Sequence, residues 1–224
     1  LAGIILAFTA RHAVVLCRLS LIQPVNAIGL TDFARECLES DDHLIRRTAV
    51  RKVGEAGTPA DAVPILLRIL HNDTWQVASE AAWSLGRLQS PTPEVIDGLR
   101  AALDQEHQEV RRYAAFGLAQ YGARSRPALP RLIELLSDER MGYMACRAVG
   151  QIGGDARTAI ADLVDLTGSS HLGTRCEAVR ALGKLGPLPP EAIVAIERCC
   201  NDDEEVVRYA AREALQRVNV AEPK

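Results

Sequence analysis

Six segments set apolar, small and polar residues in the same order: IRRTAVRKVGEAG (45–57), VASEAAWSLGRLQ (77–89), VRRYAAFGLAQYG (110–122), MGYMACRAVGQIG (141–153), TRCEAVRALGKLG (174–186) and VRYAAREALQRVN (207–219). A Val or Leu anchor falls at Val53, Leu85, Leu118, Val149, Leu182 and Leu215, a period of about 33 residues. A short polar turn precedes each segment, at 40–42, 72–73, 104–105, 137–138, 169–170 and 201–202. Self-similarity at a fixed period of this length is the mark of a repeat array and outranks any local reading.

Between these segments lies a second apolar phrase: AVPILLRIL (62–70), VIDGLRAAL (95–103), ALPRLIELL (128–136), AIADLVDLT (159–167) and AIVAIERCC (192–200). Its leucines return at steps of three and four, the period of an amphipathic helix. Thr58-Pro59-Ala60-Asp61 reads as N-cap, first-turn proline and capping-box acid. Each unit is therefore a helical hairpin of about 33 residues that buries its apolar faces only by stacking on its neighbours. Ala49, Ala81, Ala82, Ala114, Ala115, Ala145 and Ala178 allow close approach, while Ile45, Val77, Val110 and Val207 fill the seam. The expected fold is all-α, an α-solenoid of stacked antiparallel hairpins. Residues 1–38 read as degenerate N-terminal capping helices, 39–218 as five full repeats plus a final helix, and 219–224 as a polar tail.

Composition narrows this picture. The 224 residues are 48% hydrophobic, 25% charged and only 4% aromatic, with a formal net charge of -3. That balance supplies no global attraction for nucleic acid or membrane. Arg11, His12 and Arg18 interrupt the apolar first stretch, which also lacks secretory-signal features, so a membrane is not expected and a cytoplasmic location is. What precedes Leu1 is left open. Cys17, Cys37, Cys146, Cys176, Cys199 and Cys200 form no CxxC pair, and scattered thiols are expected.

The phrase Asp…Val-Arg-x-x-Ala-Ala-x-x-Leu-Gly resembles the HEAT-like repeat of the phycobilisome (bilin) lyase type, an armadillo-type solenoid, over residues 39–218. The resemblance implies that the turn acid and the arginine after the valine form a structural pair joining adjacent repeats: Asp42/Arg46, Asp104/Arg111 and Asp203/Arg208. Arg175 has only Ser169 and Ser170 before it, and Ala78 and Gly142 replace the arginine in repeats two and four. It also implies that the helices carrying Val-Arg line the concave side. Trp83, Tyr113, Phe116, Tyr143 and Met144 then stand beside Arg87, Arg112 and Arg147, with Gln120 and Arg180 in the same columns and Trp75 at the mouth. Nine aromatic residues in the whole chain make this concentration informative, because rings and arginines are the usual make-up of a protein-interface hot spot.

The function expected is a non-catalytic protein-binding scaffold or assembly factor, its partner another protein or peptide, in a hetero-oligomer or not. Two alternatives stand beside it. The resemblance includes bilin lyase/isomerase subunits, which act on a linear tetrapyrrole with a partner chain. Arg47, Arg51, Arg112, Arg147, Arg180 and Lys184 suggest a nucleic-acid-binding stripe, though Glu55, Glu80 and Glu177 interrupt it. No cofactor, metal site or catalytic residue is expected: His43, His71, His107 and His171 sit near turns at varying offsets, and the recurring glycines read as ending or loosening helices. Repeat four, with MGYM and Gly153-Gly154, suggests a local bend.

Overall fold

The computed structural model describes residues 36–220, and among them every regular element is helical. The capping helices expected over residues 1–38 lie almost wholly outside the described residues; residues 36–38 are helical, and Cys37 and Leu38 are buried. The expected tail starts inside the last helix, and its remainder also lies outside them. The chain divides into two compact units, residues 1–90 and 91–224.

In the first unit, α1 (His43–Ala56) and α2 (Pro59–Asn72) are antiparallel, and α3 (Trp75–Arg87) packs on both. Asp42 caps α1 by accepting a 2.8 Å bond from the Leu44 amide. Thr58 caps α2 by accepting from the Asp61 amide, and its hydroxyl donates to the Asp61 carboxylate at 2.7 Å, closing the loop between the helices. These caps satisfy amides that the helix leaves without partners.

The second unit runs through α4 (Pro93–Ala102), α5 (Gln108–Tyr121), α6 (Leu129–Glu134), α7 (Gly142–Ile152), α8 (Ile160–Leu166), α9 (Leu172–Leu182), α10 (Pro190–Cys199) and α11 (Glu205–Val220). The first helices α5, α7, α9 and α11 pack each on the next, while α4, α6, α8 and α10 form a second layer against them. Repeats three and four insert 3-10 turns, Gly122–Ala128 and Gly153–Ala159, before their second helices. Gly122 and Gly153 open these turns at φ of 55° and 79°, which a side-chain-bearing residue adopts only with strain.

The small residues answer a steric demand. Ala49, Ala81, Ala82, Ala114, Ala115, Ala145 and Ala178 are all fully buried, as are the anchors Leu85, Leu118, Val149 and Leu182. Each buried anchor contributes roughly 2 kcal/mol of apolar transfer. The glycines of the repeated phrase do more than end or loosen helices. A Cβ on Gly150 would stand 2.7 Å from the Ala181 Cα, and one on Gly183 would stand 2.7 Å from the Ala214 Cβ. In the first unit a Cβ on Gly54 would meet the Ser84 Cβ at 2.7 Å. These are contact points between successive first helices, so the expected role is corrected: glycine is there because the next helix occupies its side-chain space. In repeat four Met141 is fully buried, and Gly142 is held small by the Leu136 carbonyl, 2.9 Å from where its Cβ would be.

Candidate functional site

The turn arginines come first, because they fix how one repeat meets the next. Arg46 donates from Nη1 to the carbonyls of Ser40 (2.7 Å) and Asp41 (3.1 Å), then from Nε and Nη2 to the Asp73 carboxylate (3.0 and 2.7 Å). Arg175 repeats the arrangement, with the Ser169 and Ser170 carbonyls at 2.9 and 3.3 Å and Asp202 at 3.1 and 3.2 Å. Arg111 takes the carbonyls of Gln105 and Glu106, and Arg208 those of Asp202 and Asp203.

The expected partners are therefore corrected. The carboxylate that meets the arginine belongs to the following turn, because the guanidinium is occupied by carbonyls of its own turn and reaches forward along the stack. Asp42 caps α1, and the carboxylate that binds the Arg46 guanidinium in two places is Asp73, with the charge of Asp42 adding to its hold. Asp104 receives Arg131 at 2.8 Å, not Arg111. Asp203 meets Arg208 through its carbonyl. The Asp73 carboxyl is pushed up by burial, yet its bonds from Arg46 and Thr74 win and hold it below the usual carboxylate range. The Asp202 carboxyl is held low chiefly by Arg175.

In residues 1–90, Trp75 is 43% exposed at the start of α3. Trp83 is half-buried, and the Arg87 guanidinium lies 4.7 Å from its ring centroid. Glu80, expected on an open column, is only 5% exposed. Arg47 donates to it from Nε at 2.9 Å, and Arg51 from Nε at 2.8 Å and Nη2 at 3.0 Å. Burial pushes the Glu80 carboxyl up, but the two guanidiniums outweigh it and keep it ionised below its ordinary range. Two arginines of the suggested basic stripe thus share one buried acid, which offsets half of their charge.

In residues 91–224, Arg112, Tyr113 and Phe116 are half-buried and Gln120 exposed along one face of α5. The Arg112 guanidinium lies 4.9 Å from the Tyr113 ring centroid and forms an ion pair with Glu109. Burial pulls its ionisation down, but interactions with Tyr143 and Glu109 hold it up. On α7, Tyr143 and Arg147 remain half-buried, and Arg147 stands over Phe116 at 5.9 Å. Tyr143 also faces the His171 ring, centroids 6.1 Å apart. Met144 departs from expectation: it is 6% exposed, turned into the stack where Tyr113 and Glu177 keep partial exposure at the matching place. On α9, half-buried Arg180 donates to Glu177 at 2.9 Å.

Lys184, expected as part of the basic stripe, and Arg217, outside every expected set, join this face. Lys184 is half-buried, and burial first, then the charges of Arg217, Arg147 and Arg180, lowers its ammonium pKa against the opposing pull of Glu177. Arg217 stands one repeat period after Lys184, a spacing that already marks it in the sequence.

Two of the four turn histidines have structural roles. His107 and His171 cap α5 and α9, each ring Nδ1 accepting an amide bond at 3.3 and 3.2 Å. Among the described residues no group of three or more His, Cys, Asp or Glu side chains could hold a metal ion. Cys146 is fully buried and its thiol is pushed up to about 12, chiefly by desolvation, which suppresses thiolate chemistry. Among the described residues no helix is long and apolar enough to cross a membrane.

Comparison with known proteins follows the same pattern. The HEAT repeats family matches residues 31–115, 96–161 and 142–216. A HEAT repeat-containing taxis protein of Halobacterium salinarum is 31% identical over 153 residues, covering 64% of this chain and 36% of that relative. The chain thus spans about a third of the curated relative's length. Among solved structures, an engineered protein superposes with a TM-score of 0.67 at 23% identity, covering 85% of this chain and 100% of its own. A designed armadillo repeat protein in complex with the peptide (KR)4 gives 0.64 at 22% identity, covering 83% and 98%. The complex of CpcE and CpcF of phycocyanin lyase from Nostoc sp. PCC7120 gives 0.64 at 22% identity, covering 87% and 79%. At these identities the solved structures establish the fold, an α-solenoid, and nothing finer. With hairpins of the same period, glycine contact points between first helices and family matches that together run from residue 31 to 216, the chain belongs to the HEAT repeat family.

Proposed function

We propose that this chain is a non-catalytic scaffold that binds a segment of another protein along the solvent-facing side of its first helices. The carrying observation is the pair of guanidinium-over-ring contacts, Arg112 with Tyr113 and Arg147 with Phe116, left half-exposed on adjacent helices of residues 91–224. Stacked arginines and rings are already ordered before a ligand arrives, so less side-chain entropy is lost on binding. Gln120, Tyr143 and Arg180 extend that surface. Trp75, Trp83 and Arg87 form the corresponding set in residues 1–90. The peptide-bound designed armadillo protein is in keeping with a protein partner. A linear-tetrapyrrole role rests on the resemblance of the repeat phrase and on fold likeness to the lyase complex. A nucleic-acid lane is disfavoured by the capture of Arg47 and Arg51 on Glu80.

Selection of peptides from a random display library on the immobilised protein tests the proposal. Selected peptides are expected to lose about tenfold or more in affinity for a Phe116→Ala/Arg147→Ala variant of unchanged helicity, the loss that a hot-spot pair of about 1.4 kcal/mol gives. Equal affinity for both proteins removes this face from the binding reading.

A further inference from the structure

Phe116 and Tyr143 border a cluster of positive side chains: Arg147 on α7, Arg180 on α9, Lys184 in the turn just after α9, and Arg217 on α11. Arg147 and Arg180 hold one place in successive repeats, and Lys184 and Arg217 hold the place one turn further along. Glu177 pairs with Arg180 at 2.9 Å and Glu213 with Arg217 at 2.6 Å. Among the described residues no carboxylate lies within ion-pair distance of Arg147 or Lys184. Both are half-buried, so their charges are screened less than those of free surface residues. Four cations thus stand against two acids in a chain whose formal charge is -3.

We infer that this face selects an acidic peptide segment, with carboxylates set against Arg147 and Lys184 and apolar side chains against Phe116 and Tyr143. The inference rests on the peptide-binding reading above and names its chemistry. Packed helices lie about 8–10 Å apart, and an extended chain advances about 3.3 Å per residue. Acids two or three positions apart therefore meet cations of successive repeats. A nucleic-acid backbone fits less well, because Glu177 and Glu213 interrupt the cluster and repel an unbroken line of phosphates, whereas a peptide places its charges only where they are wanted. An acidic segment also relieves the mutual repulsion around Lys184.

Fluorescence anisotropy with three labelled peptides tests this: four Glu-Tyr pairs, four Gln-Tyr pairs and four Lys-Tyr pairs, with a labelled oligothymidine alongside. The Glu-Tyr peptide is expected to bind about tenfold tighter than the Gln-Tyr peptide at low salt, the gap closing as salt rises. Arg147→Gln and Lys184→Gln should each weaken it by about fivefold, the equivalent of one partly buried ion pair. Arg126→Gln, an equal charge change at an exposed side chain in a 3-10 turn, should weaken it by less than about twofold. Circular dichroism confirms that each variant folds. Equal affinity for the Glu-Tyr and Gln-Tyr peptides refutes charge selection and leaves peptide binding standing. No binding of any peptide refutes both. Oligothymidine binding as tight as the Glu-Tyr peptide refutes the acidic-peptide reading in favour of nucleic acid.

Discussion

Gly150→Ala is a perturbation whose sign separates two accounts of the repeat glycines. Intrinsic helix propensity alone favours alanine by about 1 kcal/mol in the interior of α7. The packing says the reverse. The new Cβ would meet the Ala181 Cα at 2.7 Å and its Cβ at 2.9 Å, whereas carbon atoms rest about 3.5–4.0 Å apart. Because the closest atom is backbone, no rotamer change relieves the contact, and trimming Ala181 to glycine would leave the Cα in place. α7 and α9 must separate by about 1 Å, which forfeits a quarter to a half of each dispersion contact across the seam. Overpacking costs about 1–3 kcal/mol, and a clash with backbone that no rotamer change relieves falls in the upper part of that range, about 2–3 kcal/mol. After the propensity gain, a net loss of about 1–2 kcal/mol remains. Thermal unfolding by circular dichroism should show a midpoint lower by about 2–8 °C for a chain of this size. Gly168→Ala is the control, since its nearest contact would be the Asp165 carbonyl at an ordinary 3.6 Å. It should leave the midpoint unchanged or slightly raised. A Gly150→Ala protein as stable as the parent, or more so, would refute the claim that first helices touch at this glycine.

Glu80→Gln should lower stability by about 1–2 kcal/mol at pH 7, as charge-assisted bonds from Arg47 and Arg51 weaken. The Glu80 carboxyl is held below its unfolded value of about 4.3, so its contribution is fully present above that pH and is lost as pH falls through the lower folded value. Urea midpoints of parent and variant should converge below about pH 4; a constant difference across pH would contradict the buried ion triad. Asp202→Asn should destabilise residues 91–224 by about 1 kcal/mol, while Asp203→Asn, whose carbonyl is the group that meets Arg208, should be near neutral; equal losses would reject the forward pairing. Among the described cysteines, half-buried Cys200 should react with a maleimide well before Cys146 in the folded protein; alkylation of Cys146 at a comparable rate, followed by peptide mapping, would show that its burial is wrong.

The sequence alone determined the repeat, because each hairpin must expose an apolar face unless its neighbour covers it, and that demand is written into every unit. The period, the alanine positions, the Val or Leu anchors and the capping of α2 by Thr58 were all readable from residue type and spacing. Spacing also points to Arg217, one repeat period after Lys184, although it lay outside the expected site. Only tertiary structure decided which partner each charge takes. A turn acid and a turn arginine close in sequence look like a pair, yet Arg46 spends its near donors on carbonyls and reaches Asp73 of the following turn. Position in a column did not separate Tyr113, half-exposed, from Met144, buried, because their exposure depends on how far each helix is rolled against the next. Glu80 likewise reads as an open surface acid until two arginines fold over it. Short-range periodicity sets which face of a helix is buried; the depth and partnership of each polar side chain follow from distances between helices, which no single segment contains.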